Sequence, residues 1–322
     1  PAFAGATARI DRNPLSHRMA NPVSPPRSRR AKYVVMDARH QFGIIGAGRV
    51  AQALAFALAN HSIEPPLMWG RSLEKLGAAS AATGSEVAVS LDRLAGDCDV
   101  IAIAVSDDAI PSIVEELARE LVADRATFVF HVSGRSGAAI LEPLRAQGAL
   151  TAAIHPAMTF TGHPRREAAQ MADARFAITG SSTGAVEHAR EVVALLGGIS
   201  IEIAEAQRTL YHAALCHASN HLVTLLTGAS HALVRAGVDD PASLLAPLVR
   251  AALENSLDRG FDALSGPLLR GDERTIEGHL AALAADCPEL LPAYRAMALA
   301  TVEELERTGT GVNLAALRDR LA

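Results

Sequence analysis

The 322-residue chain has little cysteine: Cys98, Cys216 and Cys287, an odd number with no paired short spacing. That excludes a disulfide framework and a cysteine zinc site, and it points to a reducing, cytosolic setting. Positive charge is scarce as well, once the start of the chain is set aside. Residues 1–40 hold eight basic and two acidic side chains, a charge of +6, so at a net charge of −5 the remaining 282 residues carry −11. A groove for nucleic acid needs net positive surface to meet phosphates, so none is expected in the folded part. No internal repeat is visible. What remains is a globular protein built for small-molecule chemistry, and its length and 49% hydrophobic content favour two domains over one core.

Residues 1–40 lack apolar periodicity, carry several prolines and cluster their arginines. Such a segment cannot bury enough surface to fold alone, so a disordered basic tail is expected. Its alternatives are an organellar transit peptide, a basic arm, or an over-extended start ahead of Met36. From Gln41 to Ala204 the pattern changes. Short β-branched runs alternate with helical stretches, the mark of a mostly parallel α/β sheet. Strands are expected near Phe42–Ile45, Leu67–Trp69, Val100–Val105, Thr127–His131, Leu150–Ile154, Phe176–Ile178 and Ile199–Ile203, with helices over Val50–Asn60, Ile110–Leu121 and Thr183–Leu196. After Ala204 the apolar residues recur at helical spacing, so residues 205–322 read as an all-helical substrate and dimerisation domain.

The first helix of that domain is expected from Ala206 to Ala236, with Gly237 at its end and Asp240-Pro241 opening the next. Between Arg208 and Arg235 it has no Asp, Glu, Lys or Arg, long enough to cross a bilayer. Four histidines, Asn220 and several hydroxyls make a poor lipid-facing surface, so the expectation is a soluble helix buried on nearly all sides, at a homodimer interface.

The strongest motif is Gly43-Ile44-Ile45-Gly46-Ala47-Gly48-Arg49-Val50-Ala51, an apolar strand running through GxGxxA into a helix. Gly46 permits a tight turn, Gly48 lets backbone approach a pyrophosphate, and Ala51 allows close packing, with the phosphates on the helix N-terminus. The fold class follows: an α/β Rossmann-type doubly wound sheet, residues 41–204, followed by an all-α C-terminal domain. Gly46, Ala47, Gly48, Arg49 and Val50 are thus candidate cofactor ligands. After the second strand the chain reads Trp69-Gly70-Arg71-Ser72, with no acid to bind ribose hydroxyls. Arg71 and Ser72 suit the 2′-phosphate of NADPH instead. Val105, Ser106 and Asp107 lie where the nicotinamide half would pass, although Ser106 and Asp107 equally suit a helix cap.

The stretches GIIGAGRVAQAL, HVSGRSG, IHPAMTF, FAITG, YHAALCHASNHLVTLL and LSGPLLRGD, in this order, resemble the Rossmann-like family with a helical domain of formerly unknown function. It includes the alternative form of ketopantoate reductase and is a cousin of ordinary ketopantoate and pyrroline-5-carboxylate reductases. The resemblance implies NADPH-linked reduction of a small 2-oxo acid, 2-dehydropantoate to pantoate being the best-known case. In ordinary ketopantoate reductases a Lys and an Asn on the first helix of the helical domain carry catalysis. Here Asn220 matches the Asn, and His212 stands at the Lys place. The chain's two lysines, Lys32 and Lys75, both precede the helical domain, so the general acid must be another group.

His212, Cys216 and Asn220 are spaced i, i+4, i+8 and share one helical face. Hydride arriving at a carbonyl carbon creates an alkoxide that needs a proton and hydrogen-bond donors. An imidazole supplies the first near neutral pH and an amide the second. His212 is therefore the candidate acid and Asn220 its partner; the alternative is a satisfied core histidine. Candidate substrate ligands are Ser133 and Gly134, His155 and Thr159, each also a natural turn or cap residue, and Arg270 as a carboxylate clamp unless tied to Asp272. His217 and His221 are i, i+4 without the intervening carboxylate of a metal motif. Three readings follow: a 2-oxo acid reductase, an imine reductase of the pyrroline-5-carboxylate type, and an NADPH-binding sensor without turnover. No membrane or nucleic-acid partner is expected.

Overall fold

A computed structural model describes residues 40–122, 125–309 and 314–322. The expected basic tail and Met36 lie outside the described residues, except His40, which bridges to Ser62 and so belongs to the folded part.

Eight strands form one sheet: β1 (Phe42–Ile45), β2 (Leu67–Trp69), β3 (Glu86–Val87), β4 (Val100–Ile103), β5 (Phe128–His131), β6 (Leu150–Pro156), β7 (Arg175–Gly180) and β8 (Ile199–Glu202). Their order is β3-β2-β1-β4-β5-β6-β7-β8. Every neighbouring pair is parallel except β6 and β7. Seven of the strands answer the expected ones. β3 is the addition, and two residues are too few to print a period. β4 stops at Ile103, two residues short of expectation, where the chain turns under Gly46.

Helices α1 (Arg49–Leu58), α2 (Leu73–Thr83), α3 (Leu91–Asp97), α4 (Ile110–Glu120), α5 (Glu142–Ala146), α6 (Pro164–Met171) and α7 (Thr183–Leu195) cover the sheet. Strands covered on both faces read as unbroken apolar runs, and β1, β4 and β5 are buried throughout. Because side chains alternate along a strand, Phe42, Ile44, Phe128 and Phe130 join one apolar layer with α1 and α7, while Ile45, Ile101 and Val129 join the other with α3 and α4. The order reverses between β1 and β4, which opens a crevice at their carboxyl ends.

Beyond Glu202 the regular elements are helical: α8 (Arg208–Arg235), α9 (Pro241–Arg259), α10 (Pro267–Arg270), α11 (Glu273–Asp286), α12 (Leu291–Thr308) and α13 (Ala315–Leu321). α8 begins two residues later than expected because Glu205–Gln207 form a 3₁₀ turn. Its end is as expected, with Gly237 at φ 87° and the Asp240 carboxylate accepting from Ser243 N–H to cap α9. The expected near-complete burial of α8 is wrong for a single chain: of its residues only Arg208 and Gly228 are buried, and α9 buries none. α11, α12 and α13 close a separate small core around Ile276, Val302 and Leu317, which leaves the apolar sides of α8 and α9 largely bare. Among the described residues no helix is long and apolar enough to cross a membrane.

Candidate active site

The glycine-rich turn sits at the crevice. Gly46 takes φ 131°, and a Cβ there would lie 2.3 Å from the Ala104 carbonyl oxygen, so only glycine lets β1 turn against the end of β4. Its N–H donates to the Trp69 carbonyl at 2.8 Å, which ties the turn to β2 as well. Gly48 caps α1, faces open space and offers no side-chain acceptor, and no acid stands in the first turn. The first N–H groups of α1 are thus left for an outside anion. Arg49 reaches across to the Phe160 carbonyl at 3.3 Å, and partly buried Ala47 and Val50 pack on the core beneath.

Arg71 follows β2, exposed, and donates to the Ser112 hydroxyl at 3.1 Å with Glu116 3.9 Å away. Ser72 caps α2 by accepting from Lys75 N–H at 3.4 Å. After β4, partly buried Val105 packs on the second apolar layer and Ser106 makes no capping bond with its side chain. Asp107 is held by Arg135 at 3.0 Å.

A second group of residues meets where β5, β6 and α8 converge. His131, fully buried, accepts from Ser133 N–H at Nδ1, so its proton stands on Nε2 and goes to the Gly137 carbonyl at 2.8 Å. Burial pushes its pKa down to about 4, and the ring acts as a neutral staple for the turn after β5. Ser133 is also buried, with its hydroxyl accepting from Ser136 N–H at 3.3 Å, and this makes it a turn residue under the site. Arg208, 1% exposed, grips the same turn: its guanidinium donates to the carbonyls of Ser136 (2.9 Å), Ser133 (3.2 Å) and Ala177 (3.3 Å). Glu205 closes the far side by accepting from Ala139 N–H. The start of α8 is therefore clamped onto β5 and β7 by a buried cation bound to backbone oxygens.

That clamp delivers the candidate chemistry. Gly134 lies between His212 and His155: a Cβ on it would come within 2.5 Å of His212 Cδ2 and 2.9 Å of His155 Nε2. The two imidazoles stand edge to face with centroids 5.9 Å apart. His155 Nδ1 is 2.9 Å from the Tyr211 hydroxyl, and burial, with Arg208 and His212 adding to it, pushes the ring down to about 4. His212, Cys216 and Asn220 do share one face. With His155, Met158 and Thr159 they line a cavity of about 720 Å³. His212 Nε2 lies 3.7 Å from Cys216 Sγ, and Thr159 and Asn220 stand exposed at the rim.

Of the residues singled out in the sequence, Gly134, His155, Thr159, His212 and Asn220 are brought together. Arg270 is not: it ends α10, exposed, outside the lining of this cavity, and Asp272 is occupied in capping α11 through Thr275. Two neighbours of this cluster were not singled out in the sequence. Arg208 had one signal, as the last charge before the uncharged run, and Tyr211 had only its place beside His212. Among the described residues no group of three or more His, Cys, Asp or Glu side chains is set to hold a metal ion.

Two family models match the chain, a Rossmann-like domain over residues 24–156 and the domain of unknown function DUF2520 over residues 174–301. No curated protein matches it. Solved structures do, at low identity. A protein of Bacteroides fragilis described as a candidate NADP oxidoreductase is 20% identical with a TM-score of 0.70, over 82% of this chain and 98% of its own. A reductive aminase of Aspergillus terreus, solved with NADPH4, cyclohexanone and allyl amine, is 19% identical with a TM-score of 0.61, over 88% of this chain and 100% of its own. The pyrroline carboxylate reductase of Plasmodium falciparum, solved with NADP, is 16% identical with a TM-score of 0.56, over 84% and 97%. At these identities the likeness is one of fold. With both family models found in one chain, dividing between β6 and β7, the chain carries a Rossmann-like domain followed by a DUF2520 domain.

Proposed function

We propose that this protein is an NADPH-dependent reductase of a small 2-oxo acid, with 2-dehydropantoate to pantoate as the leading reaction. The observation that carries the reading is the meeting of Gly134, His155 and His212 beside a cavity at the carboxyl edge of a sheet whose first turn is built to receive a pyrophosphate. The cofactor fits the residues present: backbone alone fills the Gly46 turn, Gly48 borders open space, and Arg71 is exposed at the end of β2 for a 2′-phosphate. Solved structures of this fold that hold NADPH or NADP lend further support.

When bound, NADPH supplies hydride to the carbonyl carbon. The chain's part is then to hold and protonate the oxygen. His212 gives its proton to the alkoxide, Asn220 donates a hydrogen bond at the rim, and Gly134, without a side chain, lets the two imidazoles come together. Balance requires one hydride and one proton per ketone, and the imidazole is reprotonated from solvent through the open cavity. A second copy of the chain covering the bare sides of α8 and α9 completes the reading as a homodimer.

Imine reduction is the second reading, favoured by the reductive aminase and pyrroline carboxylate reductase among the solved structures of this fold. NADPH consumption by the purified protein with 2-dehydropantoate, other 2-oxo acids and cyclic imines separates the two. In that assay His212→Gln should lower kcat by about 100-fold with NADPH affinity unchanged. Unchanged turnover in His212→Gln removes it from the mechanism, and tight NADPH binding with no turnover on any substrate leaves only a sensor.

A further inference from the structure

The reductase reading leaves Tyr211 and the second imidazole without a task, and their geometry supplies one. We propose that the Tyr211 hydroxyl locks His155 as its neutral Nε2–H tautomer, and that this N–H is a hydrogen-bond donor to the substrate's carbonyl oxygen. The inference rests on the reductase reading for its substrate, though not for its tautomer.

Three observations carry it. Tyr211 Oη is 2.9 Å from His155 Nδ1 and makes no other hydrogen bond among the described residues. If the hydroxyl accepted from Nδ1–H, its own hydrogen would be left without a protein acceptor; donating satisfies the hydroxyl and Nδ1 and leaves the one unpaired donor, Nε2–H, to the cavity side. Next, the Arg208 guanidinium lies 5.8 Å from the centre of the Tyr211 ring. A cation there opposes a second positive charge on the imidazole. Finally, His155 lines the cavity, its Nε2 makes no hydrogen bond among the described residues, and its ring packs against Gly134, across from His212, so closely that a Cβ there would lie 2.9 Å from Nε2. With Nδ1 engaged, the proton on Nε2 is left for a molecule in the cavity that His155 lines.

The charged and titratable groups facing His155 agree. Arg208, His212 and His131 oppose its protonation, as burial does, while Asp107 after β4 favours it and is already held by Arg135. A neutral imidazole is the better choice for this work. It polarises a carbonyl without surrendering its proton in the ground state, and so complements a proton-delivering His212. The pair divides the labour: His155 orients and polarises, His212 protonates. Tyr211 touches no reacting atom and acts as a positioning residue.

The test uses full-length protein labelled with nitrogen-15 histidine. The His155 signals are identified by their loss in His155→Gln or, should that variant not fold, His155→Asn. At pH 7 the long-range proton–nitrogen spectrum should show His155 as a single neutral tautomer protonated on Nε2, and Tyr211→Phe, which keeps the ring against Arg208, should convert it to a mixture. A proton on Nδ1, a cationic ring, or a pattern indifferent to Tyr211→Phe overturns the proposal. With 2-dehydropantoate and NADPH, Tyr211→Phe should lower kcat by about 10-fold, the worth of one neutral hydrogen bond, with KM little changed. His155→Gln should lower it by about 100-fold, as loss of an oxyanion donor does. Unchanged kcat in both variants overturns the donor role. A wild-type protein inactive on ketones and imines alike overturns the reductase reading and the donor role with it, while the spectrum still decides whether Tyr211 sets the tautomer.

Discussion

The sheet half and the helical half of this chain use apolar residues in opposite ways. In the sheet half, β1, β4 and β5 vanish into two layers, and buried side chains are shared between strand and helix on each face. In the helical half, α8 and α9 carry a comparable apolar load but keep it outside, with Leu257 78% and Leu210 68% exposed. Hydrophobic composition therefore says that a segment needs a partner without saying whether its own chain supplies one. The sheet is self-sufficient because crossover helices return to cover it. Neither of the two helices contributes a side chain to the core that α11, α12 and α13 make.

That contrast can be broken most sharply at its tightest point. Gly46→Ala forces a Cβ onto the Ala104 carbonyl at a φ of 131°, so it should abolish NADPH binding and cost about 3 kcal/mol in a urea melt. A variant with wild-type affinity and melting would mean that the turn is not the hub of the crevice. Next in size is the clamp joining the halves. Arg208→Leu removes three hydrogen bonds to backbone carbonyls, two of them buried, and should destabilise by about 2 kcal/mol. Its effect should be as large on the histidine signals of His155 as on the melt, since both sides of the site hang from this side chain.

Acid gives a third, more gradual effect, confined to the sheet edge. His131 and His155 are held near 4, below the ordinary value of 6.5, so the unfolded chain binds protons that the folded one refuses. Stability should be full above pH 6.5, fall between 6.5 and about 4, and fall no further from these groups below that. Urea melts across this range check it, and His131→Gln should flatten the slope. The smallest effect belongs to the helical half. Leu257→Ala should shift the stability of the isolated chain by no more than about 0.5 kcal/mol, because the side chain is already bare. Leu257→Asp sharpens the comparison: in sedimentation it should dissociate a dimer built on α8 and α9, and a wild-type protein that is already monomeric removes the second copy from the picture.

How much was legible follows from how local each feature is. The run FGII before GAG declares a strand and its turn within a few residues, and the cap at Asp240-Pro241 is equally local, so both read directly from the chain. The i, i+4, i+8 spacing put His212, Cys216 and Asn220 on one face, and they share one cavity. The partner of that face could not be read. Tyr211 meets His155 across 56 residues of chain, and Arg208 meets Ser133 across 75. No periodicity spans such distances, and none tells whether the apolar side of α8 is covered by its own chain.

By itself, the amino-acid sequence determined the alternation of strands and helices, the glycine that must take a positive φ, and the point where strands give way to helices. Each depends on backbone preferences and side-chain period over a few neighbouring residues. Only the tertiary structure decided that Gly134, His155 and His212 meet, since they come from the ends of β5 and β6 and the start of α8 and converge only through the order of the strands and the grip of Arg208. It alone decided, too, which apolar faces stay uncovered, because burial is a property of surfaces brought together and not of the residues that make them.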